Sequence, residues 1–259
     1  MNSEKEKGAI NMKPRRWVIW TAAVFLITLI PATALILENE NNKAERTAAV
    51  EGDMLPENHK ILLDVPHLKQ GGKYPSGCES VSAVMALRYM GTDITVEEFI
   101  DCYLEKGSLK TVNGVLQGPS PDKCFVGSPY SELGYGCYAP VIVEAFRDIE
   151  RTTGVHAEDV SGRELETLVK ESVDQGFPLL IWATIGMESS RDGTSWVLEE
   201  AGEPFTWTAG EHCLVLTGYD NNSYFFNDPL SPYGGISYPK KLVKERYAEM
   251  GRQAILLSK

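Results

Sequence analysis

Apolar positions along the chain fall into three regimes. Trp17 to Leu37 are 21 residues without a charge, matching the roughly 20 that a helix needs to cross a bilayer core. Residues 38–58 are polar and lack a period, as in a solvated linker. From residue 59 onward the spacing alternates between helical and strand-like. "ILLDVPHL" predicts a short strand ended by Pro66. Val81, Val84, Met85 and Leu87 predict a helix from Cys78 to about Met90, stopped by Gly91. Thr95 and Glu98 form a capping box before a second helix, which places Cys102 in the core.

The next stretch, Gly107 to Ala139, is rich in Gly, Pro and Ser and predicts an ordered loop shaping one side of a site. Pro140 opens another helix, and Ser161 with Glu164 forms a second capping box before "ELETLVKESVDQG". "FPLLIWATIG" predicts a buried strand. "HCLVLTGYD" and "SYFFNDP" predict two strands joined by a hairpin at Asn221 and Asn222. A helix "KKLVKERYAEM" and a strand "RQAILLS" finish the chain. Helices dominate early and strands late, which predicts an α+β fold without internal repeats.

Charge changes the picture at the N-terminus. Residues 1–16 carry net +3 and the remainder −14. Basic residues stay on the cytoplasmic side. The expected organisation is therefore a cytoplasmic tail at 1–16, a transmembrane signal anchor at 17–37, a linker at 38–58 and an extracytoplasmic domain at 59–259. The expected location is the cell membrane, single-pass. A cleaved signal peptide is the competing reading and would give a secreted protein, although the apolar run is long for one and no clean A-x-A site follows. The overall charge of −11 argues against nucleic acid as a partner. No phosphate-cradling glycine loop is present, so no nucleotide is expected.

Five cysteines, Cys78, Cys102, Cys124, Cys137 and Cys213, leave at least one thiol over if the others pair. A Cys124–Cys137 disulfide would staple the long loop; two free thiols are the alternative. No C-x-x-C spacing suggests zinc, and neither a metal nor a cofactor is expected.

The chemistry centres on "QGGKYPSGCESVSAVMALRYMG". Cys78 stands at a helix start, where the dipole and free N–H groups favour a thiolate; packing as a small buried hydrophobe is the bland alternative. Gly77 allows close approach of another backbone. Among His59, His67, His156 and His212, the last opens a strand and is the expected base. Alternation then turns Cys213 into the core. Asp228 ends the neighbouring strand and should meet His212 across the hairpin, orienting the imidazole. Asp220 sits at the far end of that hairpin, and Asn227 should face away. Gln70 can donate an amide N–H to a developing oxyanion, or it is a solvated loop residue. Trp196 and Trp207 are core residues or cleft lining near His212.

Together "DVPHLKQ", "YPSGCESVSAVMALRYMG", "FVGSPY", "GCYAP", "GEHCLVLTGYD" and "FFNDP" resemble the C39-like peptidase family of papain-like cysteine peptidases, over about residues 61 to 257. The resemblance implies a papain-like fold with the nucleophile helix packed on an antiparallel sheet. It implies Cys78 as nucleophile, His212 as base, Asp228 as third member and Gln70 in the oxyanion hole. The expected activity is hydrolysis of peptide or related amide bonds without a cofactor. A catalytically silent module binding peptide or cell-wall fragments, and an acyl or peptidyl transferase, are the alternatives.

Overall fold

Two strands are buried along almost their whole length and organise the fold. The structure, a computed structural model, describes residues 59–259. β7 (Leu179–Thr184) is buried at every position, and β10 (Glu211–Asp220) at all but its last. They pair antiparallel at the centre of a seven-stranded sheet, with His212 opposite Ala183 and Cys213 opposite Trp182. The remaining strands are β1 (Lys60–Leu62), β6 (His156–Asp159), β11 (Ser223–Asn227), β12 (Gly235–Pro239) and β13 (Ala254–Ser258). Their order is β12-β11-β10-β7-β13-β6, and β1 also pairs with β10.

Both faces of this sheet are covered, which explains the continuous apolar runs. Cys213, Val215, Leu180 and Trp182 pack with α1 (Cys78–Tyr89) and α3 (Ala139–Thr153). Leu214, Leu216, Ile181 and Phe226 pack with α4 (Leu165–Ser172) and α5 (Lys240–Glu249). Residues 78 to 87 of α1 are all buried, including Glu79, Ser80 and Ser82. A helix enclosed all round has no polar stripe to show in its sequence. Ser82 Oγ donates to the Cys213 carbonyl at 3.0 Å and fixes α1 to β10. The structure is α+β, with the Cys78 helix against an antiparallel sheet.

Thr95 caps α2 (Val96–Glu98) by accepting the Glu98 N–H. That turn runs on as a π-helical turn, Phe99–Tyr103, which rotates Cys102 outward. The expectation of a core Cys102 is thereby corrected, because a wider turn breaks the 3.6-residue period. Ser161 does not cap α4. Its hydroxyl bonds Asp159, and Glu164 occupies the cap position.

The expected long loop contains short strands. These are β2 (Lys106–Gly107), β3 (Lys110–Val112), β4 (Val115–Gly118) and β5 (Phe125–Val126). Asn113 and Gly114 both have positive φ and turn β3 into β4, as an Asn-Gly hairpin requires. β4 joins β8 (Arg191–Leu198) and β9 (Pro204–Ala209) in a separate four-stranded sheet. Trp196 and Trp207 are buried in that sheet's own aromatic cluster, so they are core. Cys124 and Cys137 are free and buried.

Among the described residues no helix is long and apolar enough to cross a membrane. The expected span at 17–37 lies outside the described residues.

Candidate active site

The start of α1, the start of β10 and the end of β11 meet at one place. Gly77 precedes α1 because nothing larger fits: a Cβ there would lie 2.9 Å from Tyr74 Cβ and 3.3 Å from Pro129 Cβ. Ser76 is tied to the 127–136 segment through the Ser131 and Gly134 carbonyls. Cys78 is thereby held at the first turn and is 6% exposed.

His212 and Asp228 meet across the hairpin. Val215 pairs with Asn227, so Asp228 aligns with Leu214 and lies diagonal to His212 on the same face. His212 Nε2 stands 2.7 Å from Asp228 Oδ1, and both residues are buried. Asn227 turns away and donates to the Val65 carbonyl. Burial alone would raise the Asp228 carboxyl. The His212 hydrogen bond and charge, with N–H groups of Leu230 and Ser231, outweigh burial and leave it below its ordinary range. His67 is not at the thiol; its Nε2 contacts the Asp228 carbonyl oxygen at 3.0 Å.

The thiol itself is turned elsewhere. Cys78 Sγ lies 3.3 Å from Glu79 Oε2 and accepts the Cys213 N–H at 3.5 Å. Among the described residues, His212 is not one of its hydrogen-bond partners. By alternation Cys213 faces the α1 side, and His212 shares a strand face with Leu214 and Asp228. The imidazole belongs to the residue next to the one whose N–H meets the sulfur.

The expected thiolate-favouring environment is also corrected. Burial pushes the Cys78 thiol up, and Glu79, Glu211 and Cys213 add to it, with only the Cys213 N–H opposing. A helix-terminus effect of at most about 2 kcal/mol loses to desolvation beside carboxylates.

Gln70 is buried, not solvated. Its Nε2 donates to the Pro75 carbonyl at 2.7 Å, and its backbone N–H donates to the Pro229 carbonyl. It therefore ties the segment before Cys78 to the loop after Asp228. Its Oε1 has no hydrogen-bond partner.

Two acidic residues escaped the sequence reading. Glu79 is fully buried, and its Oε1 accepts the Cys137 N–H at 2.6 Å. Glu211 is 7% exposed. One directly follows Cys78 and the other directly precedes His212, and that adjacency was the available signal.

Comparisons with known proteins agree with this architecture. The model of the Peptidase_C39 like family matches residues 62–255. The uncharacterized protein YvpB of Bacillus subtilis (strain 168) is 24% identical over 197 residues, covering 76% of this chain and 72% of that protein. A solved Bacillus anthracis structure, provisionally assigned as a C39-like peptidase, superposes with a TM-score of 0.68 at 28% identity. It covers 78% of this chain and 98% of the other. The chain belongs to the C39-like peptidase family, a family of papain-like cysteine peptidases.

Proposed function

We propose that this protein is a cysteine peptidase that cleaves peptide or related amide bonds with Cys78, His212 and Asp228. The observation that carries the reading is the buried 2.7 Å His212–Asp228 pair, one residue from the N–H that meets the Cys78 sulfur. Asp228 occupies Nε2, so Nδ1 is the nitrogen left to take the thiol proton. For that transfer the Cys78 thiol must give up its Glu79 Oε2 contact and approach His212. The thiolate attacks the carbonyl carbon, and the imidazolium then protonates the leaving amine. Water, deprotonated by His212, hydrolyses the acyl-enzyme. The Cys78 N–H and the second hydrogen of Gln70 Nε2 receive the oxyanion.

We place the domain outside the cytoplasm, held by an uncleaved anchor at 17–37 after the 1–16 tail and followed by the 38–58 linker. The anchoring charges and the uncharged run support this.

A second reading has its own support. A buried thiol bonded to Glu79 suits a silent papain-like module that binds peptide without cutting it. A tagged thiol-reactive activity probe on intact cells separates the two and reports topology as well. Labelling of wild type that is lost in both Cys78→Ala and His212→Ala supports the peptidase. Labelling absent from wild type, or unchanged by His212→Ala, refutes it.

A further inference from the structure

The Cys78 sulfur has two acidic neighbours that peptide hydrolysis does not use. Sγ, a Glu79 carboxylate oxygen and a Glu211 carboxylate oxygen all lie within 4.8 Å of one another. Around a tetrahedral zinc ion, with bonds of about 2.0–2.3 Å, donor atoms stand roughly 3.3–3.7 Å apart. The 3.3 Å between Sγ and Glu79 Oε2 already matches. The other two separations, within 4.8 Å, must shorten by up to about 1.5 Å on binding.

Three features make this more than an acidic cluster. The Cys137 N–H holds Glu79 Oε1 and so fixes the carboxylate with Oε2 toward the sulfur, the kind of outer hydrogen bond that orients metal ligands. Glu211 is more than nine-tenths buried, yet its Oε1 has no hydrogen-bond partner. A buried acceptor without a partner is unfavourable, and a cation would satisfy it. Gly136 lets both carboxylates lie close against the backbone: a Cβ there would stand 2.5 Å from Glu79 Oε1 and 3.0 Å from Glu211 Oε2.

We propose that Cys78, Glu79 and Glu211 bind a thiophilic divalent cation of the zinc type, and that its occupancy closes the thiol to substrate. A thiolate with two carboxylates selects zinc over magnesium or calcium, which take oxygen donors alone. On binding, the Cys78 S–H bond breaks and a metal–sulfur bond forms; the thiol proton, and any proton that burial keeps on Glu79 or Glu211, leaves to solvent, and no oxidant or reductant takes part. The spacing along the chain hides such a site, since two donors are adjacent and the third is over a hundred residues away. The silencing half rests on the peptidase reading; the binding half does not.

The test titrates the purified full-length chain with Zn²⁺ by calorimetry and with Cd²⁺ by its thiolate charge-transfer absorbance. One ion per chain and a Cd²⁺ band lost in Cys78→Ser are expected. Glu79→Gln and Glu211→Gln should each weaken Zn²⁺ roughly 10–100-fold or more, while His212→Ala stays within about 3-fold. No binding, no Cd²⁺ band, unchanged affinity in both glutamine variants, or a loss in His212→Ala equal to that in Cys78→Ser overturns the site. Should Glu211→Gln fail to fold, Glu79→Gln decides alone. A chain that binds Zn²⁺ through these three residues but never hydrolyses peptide would sink the peptidase reading and keep the metal site. An active peptidase indifferent to Zn²⁺ would do the reverse.

Discussion

His212 and Asp228 form a buried pair with 2.7 Å between Nε2 and Oδ1, closed by the register of one hairpin. The carboxylate fixes the tautomer in which Nδ1 is the free basic nitrogen. Asp228→Asn keeps the shape but no longer favours that tautomer or the imidazolium. We expect peptidase kcat to fall about 10²–10⁴-fold with KM little changed. Steady-state kinetics on a peptide substrate checks it; a loss under about threefold would separate Asp228 from catalysis.

The same pair sets an acid limit. The Asp228 carboxyl lies below its ordinary value, so the folded state holds its proton less tightly than the unfolded chain. Its stabilisation is complete above the unfolded value of about 3.9 and disappears as pH falls through the folded value. Melting temperature should drop below about pH 4 more steeply in wild type than in Asp228→Asn. Equal slopes in the two proteins below about pH 4 would place the acid-sensitive proton elsewhere.

The hairpin was legible because its sequence is locally complete: two apolar runs, a polar Asn-Asn turn, and chemistry at the paired ends. The thiol's orientation was not. Which neighbour Sγ meets is set by packing at the contact between α1 and β10, and no local pattern encodes that. Burial of Glu79 was equally hidden, because an acidic residue in a first helical turn normally reads as a dipole partner in solvent. By contrast, the Asn113-Gly114 turn stands in plain view inside the segment whose composition predicts a loop. So does the alternation through Trp196 and Trp207, whose strands close a separate sheet.

Gly136 should tolerate nothing larger. Its φ of +150° is a backbone conformation rare for other residues, and a Cβ would meet the two buried carboxylates and Trp207 Cη2 at 3.1 Å. The backbone around it is tied down, with its carbonyl accepting the Val126 N–H. Gly136→Ala should cost about 2–4 kcal/mol, combining strain with displacement of Glu79. Denaturant unfolding reads this directly. A change below about 0.5 kcal/mol would mean that the carboxylates give way freely.

Apolar side chains stand exposed on the two segments that hold the site. Leu133 is 88% exposed on the loop bonded to Ser76, two residues before Cys78. Tyr233 is 93% exposed in the loop that follows Asp228. Large apolar groups in water gain by meeting a partner of the same kind, and here the partner would be an apolar side chain of a bound peptide. Leu133→Ser and Tyr233→Ser should each raise KM about 3–10-fold and leave kcat alone, since neither residue reaches the reacting atoms. Stability should stay within about 0.5 kcal/mol, as befits exposed positions. A substrate panel varying the residues beside the cut bond would show the penalty for apolar side chains and not for small polar ones. Equal KM across variants and panel would leave these residues outside the peptide's path and move specificity to the backbone contacts around Gln70.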